Sequence, residues 1–292
     1  LATGLNYQVE ALKFNPSGKL LIGGAFTNAD GTNGDYFCMW NGIAFVSFTD
    51  YGATELSNAV YSIDITPGGT IVIGGNFTNA GGDPNADYVA AWRGTNWGAL
   101  QAGGVNGIVR KVYCDPNSDI YLAGSFTQAG SLTLTDRIVV SKGGAYQPLD
   151  IDLPGSGIVY SICKASDNSL YIGGAFKAAD GNAVATITTE TLYETASSSG
   201  SANTYPEITV IGPGTLQSIS NFSTRQKITF NGLTLLAGER LTLYLDPTAL
   251  KMTSSWSGRG SVWRYLNAGS DIGNWFMRPG VNYLGVFIPS GY

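Results

Sequence analysis

The chain of 292 residues contains no histidine. The commonest general base and metal ligand is therefore missing, and with it every Ser-His-Asp or Cys-His catalytic arrangement. Cysteine is scarce too: Cys38, Cys114 and Cys163 make an odd number. Cys114 and Cys163 occupy different positions of a sequence repeat, which suits neither a disulfide framework nor a metal site. Buried or half-buried thiols made in a reducing compartment are expected instead. Charged residues amount to only 13%, with 16 basic and 21 acidic side chains and a net charge of −5. No basic cluster is present, which argues against nucleic acid as a partner. No apolar run approaches the roughly twenty residues of a membrane helix, and no signal-peptide pattern opens the chain, so no membrane insertion is expected.

Glycine, by contrast, is abundant at 40 residues, and it sits at turn-like positions. The segment Ile71–Gly82 (IVIGGNFTNAGG) has three relatives, Leu20–Gly31, Ile120–Ser131 and Leu170–Gly181. Their marker phenylalanines, Phe26, Phe77, Phe126 and Phe176, are spaced 51, 49 and 50 residues apart. A period near fifty residues signals a repeat architecture. Each copy reads as four strands. The first is typified by Val60–Ile65 and is followed by a Pro-, Gly- or Asn-bearing turn such as Thr66-Pro67-Gly68-Gly69. The second is an unalternating apolar run ended by paired glycines, as at Gly74-Gly75. A second hairpin follows, Trp40–Phe45 in copy one and Trp92–Trp97 in copy two. It weakens to Ser141–Tyr146 in copy three and degenerates to Ile187–Leu192 in copy four, as at the end of an array.

Four short strands per fifty residues with glycine-marked corners is the plan of a β-propeller blade. The pattern V-x(8)-G-x-L-x-I-G-G-x-F-T-x-A-G followed by W-x-G-x-x-W resembles kelch-like propeller repeats of extracellular and viral proteins. About four blades are expected over residues 1–195. Residues 1–8 look like the linker before a later repeat, so either further repeats upstream or a strand completing a ring is expected.

Residues 196–203 lie in the small, polar stretch Thr195–Asn203 and read as a linker. From 204 to 292 the rhythm changes. Ile208–Ile211, Lys227–Phe230 and Leu241–Leu245 predict strands, and Asn231-Gly232 predicts a tight turn. A small β-sandwich of galectin or jelly-roll type is expected, making the chain all-β. The ordered run Gly238-Glu239-Arg240, Asp246-Pro247, Ser257-Gly258-Arg259-Gly260, Gly269-Ser270-Asp271 and Pro279-Gly280-Val281-Asn282 resembles the C-terminal domain of distal-tail components of bacteriophages. That resemblance implies a virion location and a structural role at the tail tip or baseplate. Other tail proteins and copies of the chain itself would then be its partners.

Site candidates are few. Trp40, Trp92 and Trp97 could form aromatic platforms for sugar rings, making a surface lectin the alternative function; packing between blades is the competing role. Asp30, Asp35, Asp83, Asp87 and Asp180 follow the marker phenylalanines, but they change position between copies and lack the following Glu of a calcium loop. Asp150 and Asp152 are close in sequence, yet nothing selects a glycosidase pair. No catalytic residue, cofactor or metal is expected. Asn76 and Asn221 match the glycosylation sequon by chance. Arg259 and Arg278 flank turn glycines and are expected to bond loop carbonyls or a partner subunit. Apolar residues of 275–277, 283–284 and 286–288 exceed what a small sandwich can bury, which predicts an exposed patch covered in a homo-oligomer.

Overall fold

The computed structural model describes residues 4–33, 36–48, 55–133, 137–149, 153, 157–165, 169–176, 184–187, 191–199 and 201–288. The fold is all-β: several small antiparallel sheets joined by turns, with only short 3-10 segments and no α-helix among the described residues. Two compact units emerge, Leu1–Lys164 with Tyr171–Thr186, and Ala165–Leu170 with Ile187–Tyr292.

In the first unit each repeat folds into its own meander. Strands β1 (Val9–Phe14), β2 (Leu20–Gly24), β3 (Phe37–Trp40) and β4 (Phe45–Ser47) form sheet one in sequence order. Sheet two consists of β5 (Val60–Ile65), β6 (Ile71–Gly75), β7 (Val89–Trp92) and β8 (Trp97–Gly98). Sheet three consists of β9 (Val109–Cys114), β10 (Ile120–Gly124), β11 (Ile138–Lys142) and β12 (Ala145–Pro148). Sheet four shows three strands among the described residues, β13 (Ile158–Lys164), β14 (Leu170–Ala175) and β15 (Val184–Ile187). The first hairpin closes by side-chain capture of backbone donors. Asn15 Oδ1 accepts the N–H groups of Ser17 and Lys19, and Asp115 Oδ1 accepts those of Asn117 and Asp119.

The paired glycines have two separate duties. In copies one and two the first of the pair leaves room for the next sheet, whereas copy three has Ala123 there and Gly173 of copy four has open space around it. A Cβ on Gly23 would lie 2.7 Å from Val60 Cγ1, and one on Gly74 would lie 2.6 Å from Val109 Cγ1. The second glycine admits its own chain. A Cβ on Gly24, Gly75, Gly124 or Gly174 would come within 1.9–2.2 Å of the carbonyl oxygen of Gln8, Ala59, Ile108 or Ile158. Each marker phenylalanine is buried beside this crossing.

The face of a first strand that meets the preceding sheet depends on position in the array. Ile63, Val112 and Ile162 are 5%, 0% and 4% exposed, whereas the equivalent Leu12 is 60% exposed. The same chemical change should therefore differ in effect along one column. Ile63→Ala is expected to cost about 2–4 kcal/mol and Leu12→Ala less than about 0.5 kcal/mol, measured by urea unfolding. Equal costs at the two sites would contradict this packing.

Polar side chains also tie sheet to sheet. Asp64 receives Lys13 Nζ of the sheet before it at 2.5 Å, and its other oxygen accepts the Cys114 N–H of the sheet after it at 2.8 Å. Ser62 Oγ accepts the Val112 N–H at 3.0 Å. Buried Asp115 pairs with Lys164 Nζ at 2.8 Å. Burial raises the Cys38 thiol to about 12, and burial beside the Asp64 carboxylate raises Cys114 equally, so both stay protonated and inert near neutral pH. Cys163 is exposed.

The second unit has two sheets. Strands β16 (Thr191–Ser198), β22 (Gly280–Phe287), β18 (Gly214–Asn221) and β19 (Gln226–Leu235) form one in that order. Strands β17 (Glu207–Ile211), β20 (Arg240–Tyr244) and β21 (Lys251–Ser254) form the other. Three sequence expectations need correction. Residues 191–198 pair with Gly280–Phe287 along their whole length, so the end of the supposed repeat domain and the start of the supposed linker form a strand of the second unit. Asn231-Gly232 does not turn the chain: β19 runs through it, with a register shift opposite Leu216–Ser218 and φ +66° at Gly232. The apolar C-terminal residues are not a surface patch either. Trp275 and Phe287 are fully buried, and Met277, Leu284 and Val286 pack against the core around Ile228, Leu233 and Leu243.

Candidate functional site

The proposed tryptophan platforms are built into the interior. Phe37 and Phe48 of copy one and Trp92 and Trp97 of copy two form one cluster with ring centroids 4.7–5.7 Å apart. Trp97 is 3% exposed and offers no face to a sugar. Trp92 is half-buried against the same core. Trp40 meets Phe45 edge-on at 4.9 Å and packs on the cluster of Ile22 and Phe26. The W-x-G-x-x-W hairpin thus spends its aromatics on packing, where they contribute more than area alone.

Of the candidate carboxylates after the marker phenylalanines, Asp83 and Asp87 serve the backbone. Asp83 accepts the N–H groups of Asn85 and Ala99 at 2.9 Å each, and those bonds lower its pKa. Asp87 accepts the Asn79 N–H at 2.7 Å, holding that residue at φ 51°. Asp30 is an exposed turn residue with φ 54°. Asp35, Asp150, Asp152 and Asp180 lie outside the described residues. No group of three metal-ligating side chains occurs among the described residues. The Asn221 amide is buried, donates to the Phe276 carbonyl at 2.8 Å and accepts the Ser223 N–H at 3.0 Å, so it is no glycan acceptor.

What the sequence reading missed is a row of bulged residues. The β1–β2 register jumps between Val9 and Ala11, the β5–β6 register between Val60 and Ser62, and the β9–β10 register between Val109 and Lys111. The residues left unpaired are Glu10, Tyr61 and Arg110, and Tyr160 holds the same repeat position in copy four. A bulge re-aims the side chain it leaves unpaired. Here the second glycine of each pair permits it by letting the preceding carbonyl approach. The displayed side chains touch: the Arg110 guanidinium carbon lies 4.4 Å from the centre of the Tyr61 ring and 5.9 Å from that of Tyr160. The sequence carries only a partial signal: the position after the recurrent valine is Glu, Tyr, Arg and Tyr in the four copies, but the position that follows it varies as well.

The second unit carries its own charged centre, which is structural. Arg259 Nε donates to Glu239 Oε1 at 2.7 Å, and its terminal nitrogen donates to Glu239 Oε2 and to the Thr234 carbonyl, the latter at 2.6 Å. Arg259 bonds a carbonyl of strand β19 rather than the loop carbonyl expected from its turn-flanking position, and its main partner is a buried carboxylate.

No protein-family model matches the chain, and no curated protein matches it. Among solved structures it is similar to the extracellular domain of a protein described as a one-component system from B. thetaiotaomicron. That likeness has 10% identity and TM-score 0.40, and covers 86% of this chain and 29% of that one. Virginiamycin B lyase from Staphylococcus aureus matches at 14% identity and TM-score 0.38, over 86% of this chain and 71% of that one. The extracellular domain of a protein described as a hybrid two-component system from B. thetaiotaomicron matches at 12% identity and TM-score 0.40, over 86% of this chain and 32% of that one. The chain thus spans about a third or less of the two Bacteroides domains. Likenesses this weak fix no activity.

Proposed function

We propose that this protein is a structural component of a bacteriophage tail or tail-like particle, with its repeat sheets acting as propeller blades and its second unit as a β-sandwich. In this reading the sandwich anchors the chain at the tail tip or baseplate, among other tail proteins and copies of itself. The blades are carried outward as a host-recognition surface, and no chemistry is catalysed.

The observation that carries the tail reading lies in the second unit. Among the residues through which it resembles distal-tail domains are the ones that build it: Gly238 takes φ +75°, and Glu239 and Arg259 form its buried ion pair. The resemblance therefore includes three buried residues, Glu239, Arg259 and Asn282, beside exposed turn positions. The recognition role has separate support in the bulge row, where one backbone site presents unlike side chains on otherwise repeated sheets.

Purified particles from a producing culture test the proposal. Mass spectrometry is expected to find the chain in stoichiometric amount, and antibodies against the repeat unit to label one end of the tail. Particles that lack the chain would sink it. A glycan array addresses the surface-lectin alternative: reproducible binding by the free protein favours it, and loss of that binding in Trp92→Ala would return the tryptophan hairpin to the site.

A further inference from the structure

We propose that Arg110, clasped by Tyr61 and Tyr160, is the binding site for an anionic sugar, with the guanidinium edge holding the charged group and the tyrosines flanking the ring. This rests on the recognition role given to the repeat unit and names the chemical class it would recognise.

Three observations converge on Arg110. It is half-buried, and among the described residues neither a carboxylate nor a hydrogen-bond acceptor meets its side chain. Its Nε is enclosed and has no partner. A buried donor without a partner costs free energy, and a cation without a counter-charge costs more, so such a group marks a place where something binds. Two other cations of the first strands differ: Lys13 has Asp64, and Lys164 has Asp115.

The surroundings select the ligand. With the rings of Tyr61 and Tyr160 beside it, the guanidinium keeps its terminal N–H groups, which match a carboxylate or phosphate. Contact with the Tyr61 ring restricts the long side chain before any ligand arrives, so less rotamer entropy is lost on binding. Tyr160 is 48% exposed and presents apolar ring surface to the C–H face of a sugar. Exposed Glu10 ends the row beyond Tyr61 and offers acceptor oxygens for hydroxyl groups.

Binding of the full chain to D-glucuronate, glucose 6-phosphate, inorganic phosphate and glucose is the test, read by protein-detected NMR titration. Saturable binding of one or both charged sugars is expected, with glucose and inorganic phosphate at least about tenfold weaker. The two charged sugars distinguish carboxylate from phosphate recognition. Arg110→Gln is expected to weaken the preferred ligand about tenfold or more, and Arg110→Lys to recover only part, because lysine keeps the charge and loses the fork. Tyr160→Ala checks the ring contact through a smaller loss, about fivefold. Melting temperatures within about 3 °C of the wild type show that the variants are folded.

Binding that Arg110→Gln leaves unchanged, or that favours inorganic phosphate over both charged sugars, overturns the proposal. No binding of any probe overturns it as well. A glycan array separates this failure from failure of the underlying reading. Neutral glycans bound equally by wild type and Arg110→Gln would leave recognition standing and remove only the anionic ligand.

Discussion

Gly124→Ala is expected to destabilise the first unit by at least about 3 kcal/mol, enough to leave much of the protein misfolded at 37 °C. The added methyl carbon would sit 1.9 Å from the Ile108 carbonyl oxygen, a backbone atom just before β9 that cannot swing aside. Relieving the clash means undoing the bulge at Arg110, and the register of β9 against β10 with it. Gly69→Ala is the control. Gly69 has φ +85° and open space where a Cβ would stand, so alanine there meets only the left-handed backbone penalty, about 1 kcal/mol. Urea unfolding of the two variants should separate them by about 2 kcal/mol or more. Equal destabilisation would mean that conformational freedom, rather than the carbonyl crossing, is what the second glycine provides.

The second large effect lies at Glu239. Its buried carboxylate accepts the Arg259 guanidinium, the Ser254 hydroxyl at 2.6 Å and the Leu236 N–H at 2.8 Å. The hydrogen bond from Arg259 is the largest of the causes that lower its pKa to about 2. A carboxylate depressed in the folded state binds protons less readily there than in the unfolded chain. Its contribution is therefore complete above the unfolded value near 4.5 and disappears as pH falls toward 2. The shift corresponds to about 3 kcal/mol at neutral pH. Glu239→Gln is expected to cost about 3–5 kcal/mol, since it leaves a buried guanidinium without its counter-charge, and to make the decline between pH 5 and about pH 2 shallower, other carboxylates such as Asp83 supplying the remainder. Acid titration of stability, followed by the fluorescence of buried Trp275, checks both. An unchanged acid limb in the variant would reassign the pH dependence to other carboxylates.

Much of this could be read from the chain alone, because backbone demands leave marks on residue choice. The fifty-residue period, the Asn15 and Asp115 turns and the paired glycines all reflect conformations that few residues can adopt. The strand at Thr191–Ser198 was hidden because Ala, Ser and Thr carry little pattern, and its partner stands some ninety residues away. Asn231-Gly232 misled because a local signal for positive φ serves a bulge as well as a turn. The tryptophans were legible as aromatic positions, but sequence does not say which neighbours enclose them. Arg110 was illegible for the opposite reason. Its significance lies in the two tyrosines beside it, which come from repeats fifty residues away on either side.

The separation between the two glycine duties and the bulged residue has a consequence for how such a protein changes over time. Fold information sits in the Val–Gly contacts and the carbonyl crossing, while the bulged side chain enters neither. Substitution at residues 10, 61, 110 and 160 can therefore alter what the molecule binds at little cost in stability. The row reads as a short combinatorial alphabet, one letter per repeat, spelled by adjacent strands. Recombination between copies that share one structural plan would reshuffle those letters in whole-module steps, offering a route to a new binding preference that need not pass through an unfolded intermediate sequence.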